Sequence, residues 1–169
     1  KSVGEDEVIS LTRAAYPGSQ KYGAAVWNGD ICSDWNALRH SVTSGLSMGM
    51  CGIPWWNSDI GGFLSADTES EEFRELLVRW FQFGLFSPIM RLHGDRKRLK
   101  DQPIPNPDVL VKSGGPNEIW RFGVENYITI KALIETRERL RPYIMKYMDV
   151  ASENGSPIMR PMFYDFFFV

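Results

Sequence analysis

Short apolar runs alternate with helical patterns along this chain, and this alternation restricts its fold more than any other feature. Residues 22–27, 51–56 and 85–90 are short apolar runs, each followed by polar or turn-forming residues, a pattern typical of buried strands. The three runs end about 30 residues apart, which is the spacing of βαβ units. Because βαβ connections join parallel strands, the sequence predicts an α/β fold, either a barrel or an open doubly wound sheet.

Two helices are predicted between these strands. The first spans about residues 34–50, and Ser33 or Asp34 can cap its first turn. The second is predicted to begin at a capping box, in which the Thr68 hydroxyl and the Glu71 carboxylate each accept a backbone N–H. Apolar residues then recur at helical spacing, which indicates a helix with one buried face.

The last third of the chain is predicted to hold a third helix after a long loop. Residues 91–100 carry five Lys or Arg side chains, a run typical of a solvated loop in a chain that is acidic overall. Residues 101–117 are rich in proline and glycine and predict a long connection. The third helix is predicted from about residue 118 to residue 141, with Pro142 bending or restarting it and Gly155 ending it.

The composition argues against several classes of function. The net charge of the 169 residues is −2, without the basic excess that nucleic-acid-binding proteins usually carry. No apolar run approaches the roughly 18 residues that a membrane helix needs. Neither the two cysteines nor the two histidines have the spacing of a zinc site. We therefore expect no nucleic-acid partner, no membrane segment, no metal and no cofactor.

Ionisable residues cluster directly after each predicted strand. They are Asp30 after the first strand, Asp59 after the second, and Arg91 and His93 after the third. In parallel α/β folds, the carboxyl ends of the strands carry ligands and catalytic groups. The chain also contains six Trp and ten Phe residues, which can line a sugar-binding cleft as well as a core. Because glycoside hydrolysis uses two carboxyl groups, hydrolysis of a sugar substrate fits this carboxylate-rich edge.

Each of these residues also has a structural alternative. Asp30 can be a general acid beside an aromatic wall, or it can cap the helix that follows. Asp59 can face a ligand, or it can form an Asx-turn. Arg91 and His93 can donate hydrogen bonds to a hydroxylated ligand, or Arg91 can pair with an Asp beside a histidine that has no role. Arg13 by itself is typical of a surface residue.

The same residues lie in four motifs whose order and spacing resemble glycoside hydrolase family 31, the α-glucosidase and α-xylosidase family. The motifs are Thr12-Arg13, Trp27-Asn28-Gly29-Asp30, Trp56-Asn57-Ser58-Asp59-Ile60-Gly61-Gly62-Phe63, and Phe86-Ser87-Pro88 through Arg91-Leu92-His93-Gly94. The resemblance covers roughly residues 8–165 and implies a retaining, exo-acting α-glycosidase on a (β/α)8 TIM barrel. Residues 1–169 are then part of one catalytic barrel domain, about its last three βα units.

The resemblance also implies roles for individual residues. Asp30 corresponds to the general acid/base of the family. Arg13 and His93 correspond to residues that hydrogen-bond hydroxyls of the sugar at the cleaved bond. Trp27 and Asp59 correspond to other residues of the same sugar pocket.

The aromatic residues divide into two groups under this resemblance. Trp27, Trp55 and Trp56 are expected at or near the active-site rim. Trp80 and Phe81, which belong to the apolar face of the second helix, are expected in the core.

The catalytic nucleophile of the family is an Asp on the fourth barrel strand, in a motif that this chain does not contain. Retaining chemistry needs two carboxyl groups about 5–5.5 Å apart, and the chain supplies one of them. We therefore expect a fragment of a larger enzyme, inactive alone. Its partners would be a glycoside or oligosaccharide substrate and, from the parent chain, the rest of the barrel and flanking β domains.

Two segments bear on the substrate. Residues 29–33 and 52–56 look more like bacterial α-xylosidases than like animal maltases, so α-xylose is favoured over α-glucose. Family members commonly carry His where this chain has Asn57. The alternative function is a non-catalytic carbohydrate-binding or interaction module that uses the same fold segment.

Overall fold

Parallel strands form the centre of the fold in the computed structural model, which describes residues 8–64, 66–102 and 114–167. The strands are β1 (Ser10–Thr12), β2 (Ala24–Trp27), β3 (Trp56–Asn57), β4 (Asp59–Ile60) and β5 (Arg91–Leu92). β1, β2 and β3 are adjacent in that order, β4 pairs with β5, and all these pairings are parallel. The predicted parallel α/β fold is therefore confirmed.

The strand bounds differ from the predicted ones. Pairing starts at Trp56 rather than at residue 51, and at Arg91 rather than at residue 85. Pro54 has no N–H to donate to a neighbouring strand, so pairing begins only after it. The paired residues of β3 and β4 combine apolar and polar side chains, and all of them are buried, so the apolar run before Trp56 did not mark the strand itself. β1 was not predicted, because this strand has only three residues and most of them are exposed.

Four helices surround the strands: α1 (Trp35–Met50), α2 (Glu71–Gly84), α3 (Val124–Arg139) and α4 (Arg141–Asn154). Asp34 caps α1, since its carboxylate accepts the Ala37 N–H at 2.8 Å. The predicted third helix is present as α3 and α4, with Pro142 in the first turn of α4 and Gly155 as its C-cap. Within the described ranges, none of the helices has the length and apolarity to cross a membrane.

The predicted capping box of α2 is wrong. The helix begins at Glu71, and its N-cap is Ser70, whose hydroxyl accepts the Phe73 N–H at 3.4 Å. Glu71 is thus the first residue of the helix and too early to act as the N3 glutamate of a box. Thr68 is instead buried before the helix, where its carbonyl accepts the Arg74 Nε–H at 2.9 Å.

The core lies between α2 and the strands. The side chains of Leu77 and Trp80 are fully buried and Phe81 is almost so, and they pack in one cluster with Ile60 of β4. The expectation that Trp80 and Phe81 belong to the core is confirmed. The Trp80 indole N–H also donates to the Ser58 hydroxyl at 2.9 Å, which ties α2 to the residue between β3 and β4.

Trp56 does not face the strand ends that carry the candidate site, which corrects the expectation for this residue. It is the first residue of β3 and is 2% exposed, whereas Trp55 directly precedes the strand and is half-buried. The Trp56 ring packs against Gly45 of α1, where an added Cβ would come within 2.8 Å of a ring carbon. The missing side chain at Gly45 therefore makes room for the indole in the core.

The outer edges of the strand array stay open within the described ranges. β1 pairs there with β2 alone, and β5 pairs with β4 alone. β1 adds a strand position to the three that the sequence predicted. The array has the parallel order of part of a barrel, and the described strands do not close on themselves.

Candidate active site

The ends of β1 and β2 bring Arg13 and Asp30 together. Arg13 follows β1 directly and Asp30 lies three residues after β2, and the two strands are parallel neighbours. The Arg13 Nη2 atom donates to the Asp30 Oδ2 atom at 2.6 Å. The Asp30 side chain is 34% exposed, so this carboxyl group can still reach a bound molecule. Since Asp34 is the N-cap of α1, the capping alternative for Asp30 is wrong.

A second ion pair joins β4 to β5. Asp59 lies opposite Arg91 in the parallel register, and the Arg91 Nη2 atom donates to the Asp59 Oδ1 atom. Asp59 is fully buried, whereas the Arg91 side chain is 27% exposed. The Arg–Asp pair that the sequence left open as an alternative is therefore present. The other carboxylate oxygen of Asp59 is buried and has no hydrogen-bond partner within the described residues.

The pKa of Asp59 is raised above its ordinary value, chiefly because burial penalises the charged carboxylate. The positive charge of Arg91 opposes this shift most strongly, followed by that of His93, while the negative charge of Asp30 adds to it. The charge of Asp30 thus acts on the carboxyl group of Asp59 across the strand ends. The two ion pairs therefore belong to one site.

Trp27 connects the two ion pairs. The centre of its ring lies 5.5 Å from the Arg13 guanidinium carbon and 5.8 Å from that of Arg91. Both distances are within the range of a cation–π interaction. The half-buried indole thus contacts the guanidinium groups of both ion pairs and links them.

His93 is exposed at the end of β5. Its ring contacts the Phe63 ring, with centroids 5.4 Å apart and planes tilted by 38°. Phe63 directly follows the turn that leaves β4, so the contact joins the ends of β4 and β5. His93 therefore has an aromatic support and a free face toward solvent, beside the pair formed by Asp59 and Arg91.

A cleft of about 460 Å³ borders Asp30 on the side of α1, with Asn36 and His40 among its lining residues. Two larger clefts, of about 710 and 910 Å³, border Trp120 and lie away from the strand ends. The chemistry favours the strand ends as the site, because that is where the two carboxyl groups converge. Among the residues that the structure describes, no three potential metal ligands form a cluster.

Arg96 is a functional candidate that the sequence did not predict. The basic run 91–100 predicted a solvated loop, but Arg96 is 1% exposed and that prediction is wrong at this position. Its guanidinium donates to the carbonyls of Ile60 and Gly62 at 3.2 and 2.9 Å. Burial lowers the pKa of Arg96 to about 10, against the opposing charges of Asp59 and Asp95. The nearby glycines were the available signal, because they leave space for a large side chain.

The chain matches the family model described as the glycosyl hydrolases family 31 TIM-barrel domain over residues 1–147. It is 36% identical over 166 residues to an alpha-xylosidase of Saccharolobus solfataricus, covering 98% of this chain and 20% of that protein. It is 34% identical over 166 residues to human neutral alpha-glucosidase C, covering 98% of this chain and 16% of that protein. The chain thus spans about a fifth of the length of these curated relatives.

Solved structures agree with these matches. A GH31 alpha-xylosidase from a soil metagenome, complexed with xylose, has a TM-score of 0.87 and 48% identity, covering 96% of this chain and 24% of that one. A xylosidase from Aspergillus niger has a TM-score of 0.82 and 34% identity, covering 93% of this chain and 22% of that one.

Proposed function

The chain belongs to glycoside hydrolase family 31, and from that membership we propose that it carries the acid/base half of the active site of a retaining, exo-acting α-glycosidase. The substrate is a terminal α-linked sugar of a glycoside or oligosaccharide. The observation that carries this proposal is the partly exposed Asp30 carboxyl group, held by Arg13 beside Trp27 where parallel strands end.

Asp30 is the proposed general acid/base. In the first step it gives a proton to the oxygen of the departing group, and in the second it takes a proton from the attacking water. The exposure of its side chain supports this role, because a proton donor has to reach the glycosidic oxygen. The contact with Arg13 supports a fixed orientation of the carboxyl group.

Four residues are proposed to hold the sugar at the cleaved bond. Arg13 and His93 donate hydrogen bonds to sugar hydroxyls, and Trp27 offers its ring to the C–H face. Asp59 accepts hydrogen bonds from hydroxyls, a role supported by its buried carboxylate oxygen, which has no partner within the described residues. Arg91 then holds the opposite oxygen of Asp59 in place.

The nucleophile is proposed to come from sequence outside this chain. Retaining glycosidases need a second carboxyl group about 5–5.5 Å from the acid/base, and Asp59 is already committed to Arg91. The open edges of β1 and β5 support additional strands, and so does the length of the relatives. The partners of this chain would be the rest of a (β/α)8 barrel and its flanking β domains. The chain alone would bind a sugar without hydrolysing it.

The proposed substrate carries α-xylose rather than α-glucose. This choice is supported by the 48% identity to an alpha-xylosidase solved with xylose. Alpha-xylosidases of Saccharolobus solfataricus and Aspergillus niger are also among the relatives, at 36% and 35% identity. Relatives named as glucosidases have 31–34% identity where they match nearly the whole chain, and one of Pseudescherichia vulneris has 44% identity over 97 residues.

The test compares the complete protein that carries this sequence with the 169-residue chain alone. Both are assayed on aryl α-xyloside and aryl α-glucoside, with a parallel titration by free xylose. We expect the complete protein to hydrolyse the xyloside faster with retention of configuration, and the isolated chain to bind xylose without turnover. Turnover by the isolated chain would contradict an external nucleophile. Sugar binding without any turnover by the complete protein would instead favour a carbohydrate-binding module.

A further inference from the structure

We propose that Arg96 is a positioning residue for the sugar pocket, which holds the turn after β4 so that Asp59 faces both Arg91 and the substrate. Arg96 itself does not touch the sugar. This inference rests on the proposed function and extends it to a residue outside the four motifs.

The guanidinium of Arg96 bridges the two sides of that turn. Its Nη2 atom donates to the Ile60 carbonyl at 3.2 Å, and its Nη1 atom donates to the Gly62 carbonyl at 2.9 Å. The turn is closed by the Gly62 N–H, which donates to the Asp59 carbonyl at 2.9 Å. One planar group thus fixes two carbonyls that flank Gly61, directly after Asp59. A shift of this turn would move the Asp59 carboxylate as well.

The guanidinium fills a slot that is shaped for it. Its Nε–H donates to the Asn117 side-chain oxygen at 2.8 Å, and its central carbon lies 5.0 Å from the centre of the Phe73 ring. A Cβ added at Gly61 would come within 2.9 Å of the guanidinium, and one added at Gly94 would overlap it. Three acceptors, one aromatic ring and two glycines thus surround the guanidinium, and a fixed side chain is what a positioning role requires.

The charge of Arg96 also acts on Asp59. The groups whose charges affect Asp59 are Arg91, His93, Asp30 and Arg96, and the positive charge of Arg96 lowers the pKa of the Asp59 carboxyl group. Lysine would keep this charge, but its single ammonium cannot reproduce the fixed fork between two carbonyls. Lysine and methionine at position 96 therefore separate the effect of charge from the effect of the fork.

Arg137 provides a matched control, because it is a second arginine that binds backbone carbonyls in a different segment. Its guanidinium is half-buried and donates to the carbonyls of Leu85, Ser87 and Pro88 at 2.7, 2.6 and 2.9 Å. This segment precedes β5, so Arg137 holds the chain on the amino-terminal side of Arg91, whereas Arg96 holds the turn next to Asp59. Arg137 and Arg96 both donate hydrogen bonds to backbone carbonyls, but only Arg96 does so in the turn next to Asp59.

The experiment measures the kinetics of R96K, R96M, R137K and R137M in the complete enzyme with an aryl α-xyloside. We expect kcat/KM to fall about 10- to 100-fold in both Arg96 variants, with a rise in KM, because a misplacement of about 1 Å in a site can have that effect. R96M removes a positive charge that lowers the pKa of Asp59, so the acid limb of the pH profile of kcat/KM should move to higher pH in this variant. R96K keeps the charge, so its acid limb should stay in place. The Arg137 variants should lose thermal stability, with KM within about twofold of the parent enzyme.

Several results would overturn this inference. A drop in kcat with unchanged KM in both Arg96 variants would indicate loss of folded enzyme alone. Nearly normal kinetics in R96K would assign the effect to charge and contradict the fork. Equal effects at Arg96 and Arg137 would contradict a role tied to the site.

A structural measurement makes the test independent of activity. Crystal structures of R96M and R137M should show a displaced Asp59 carboxylate in R96M and an unmoved one in R137M. An unmoved Asp59 in R96M refutes the positioning role even if the enzyme has no glycosidase activity. Lack of turnover by the parent enzyme refutes the proposed function instead, so the two failures are distinguishable.

Discussion

The hydrogen bond between Trp80 and Ser58 gives a prediction whose size follows from the structure. Both side chains are buried, at 0% and 4% exposure, and the indole N–H donates to the hydroxyl at 2.9 Å. Ser58→Ala leaves the buried N–H unpaired, which costs about 1–3 kcal/mol in the free energy of unfolding. Trp80→Phe leaves the hydroxyl unpaired and also removes part of the ring, for a total of roughly 2–4 kcal/mol.

The double variant decides whether this bond is the cause. When both partners are replaced, neither polar group is left unpaired, so the combined loss should be smaller than the sum by at least about 1 kcal/mol. The measurement is urea unfolding monitored by far-ultraviolet circular dichroism. Midpoints are compared among variants whose unfolding free energies depend on urea concentration with the same slope. Trp120→Phe is the matched control, because this indole is 65% exposed, and its effect should stay within about 0.5 kcal/mol. If the loss in the double variant equals the sum of the two single losses to within about 0.3–0.5 kcal/mol, the hydrogen bond is not the cause and the reasoning is refuted.

Two further predictions concern the neighbouring site. Because burial raises the pKa of Asp59, its contribution to stability is fully present below its ordinary value of 3.8 and is lost as pH rises through the folded-state pKa. The measurement is the free energy of unfolding of the parent protein minus that of the Asp59→Asn variant, at several pH values. This difference should fall as the pH rises from the acid range, and a difference that does not change with pH would contradict the prediction. Gly62 and Gly52 both have positive φ, 72° and 77°, but a Cβ at Gly62 would lie 2.7 Å from Ser33 Cα, whereas one at Gly52 meets nothing within 4 Å. Gly52→Ala should cost roughly 1–2 kcal/mol and Gly62→Ala about 1–3 kcal/mol more in thermal melts, and equal costs would count against the steric argument.

The helices were predictable because their signals are local and repeated. α1 has a clear cap in Asp34, and the apolar residues of α2 recur over several turns. The start of α2 was not predictable to the residue, since Thr68 and Ser70 are both good caps and tertiary burial of Thr68 decided between them. Short parallel strands have no such repeated signal. The first predicted strand ends at Trp27 as expected, but the second and third begin five and six residues later than predicted.

The sequence motifs identified the residues of the candidate site better than they identified the contacts between those residues. The motifs identified Arg13, Asp30 and Asp59, but no spacing rule states that Arg13 contacts Asp30, because strand register decides that pairing. The pair of Asp59 and Arg91 was foreseen only as one of two alternatives.

Arg96 shows the limit of sequence reasoning most clearly. A lone arginine in a basic run is normally solvated, and burial here depends on acceptors and glycines 34–36 residues away in the chain. Only the folded structure brings those groups together.

The central claim is that Asp30 is the general acid/base, and the most direct test is the dependence of the Asp30→Ala variant on its leaving group. The variant is measured in the complete enzyme with a natural disaccharide and with an activated aryl glycoside of the same sugar. General acid catalysis contributes about 10²- to 10⁴-fold, so turnover of the disaccharide should fall by that factor. The first step with the aryl glycoside should fall far less, because its leaving group needs little protonation. Near-normal hydrolysis of the disaccharide by the variant, or an equal loss on both substrates, would contradict the account.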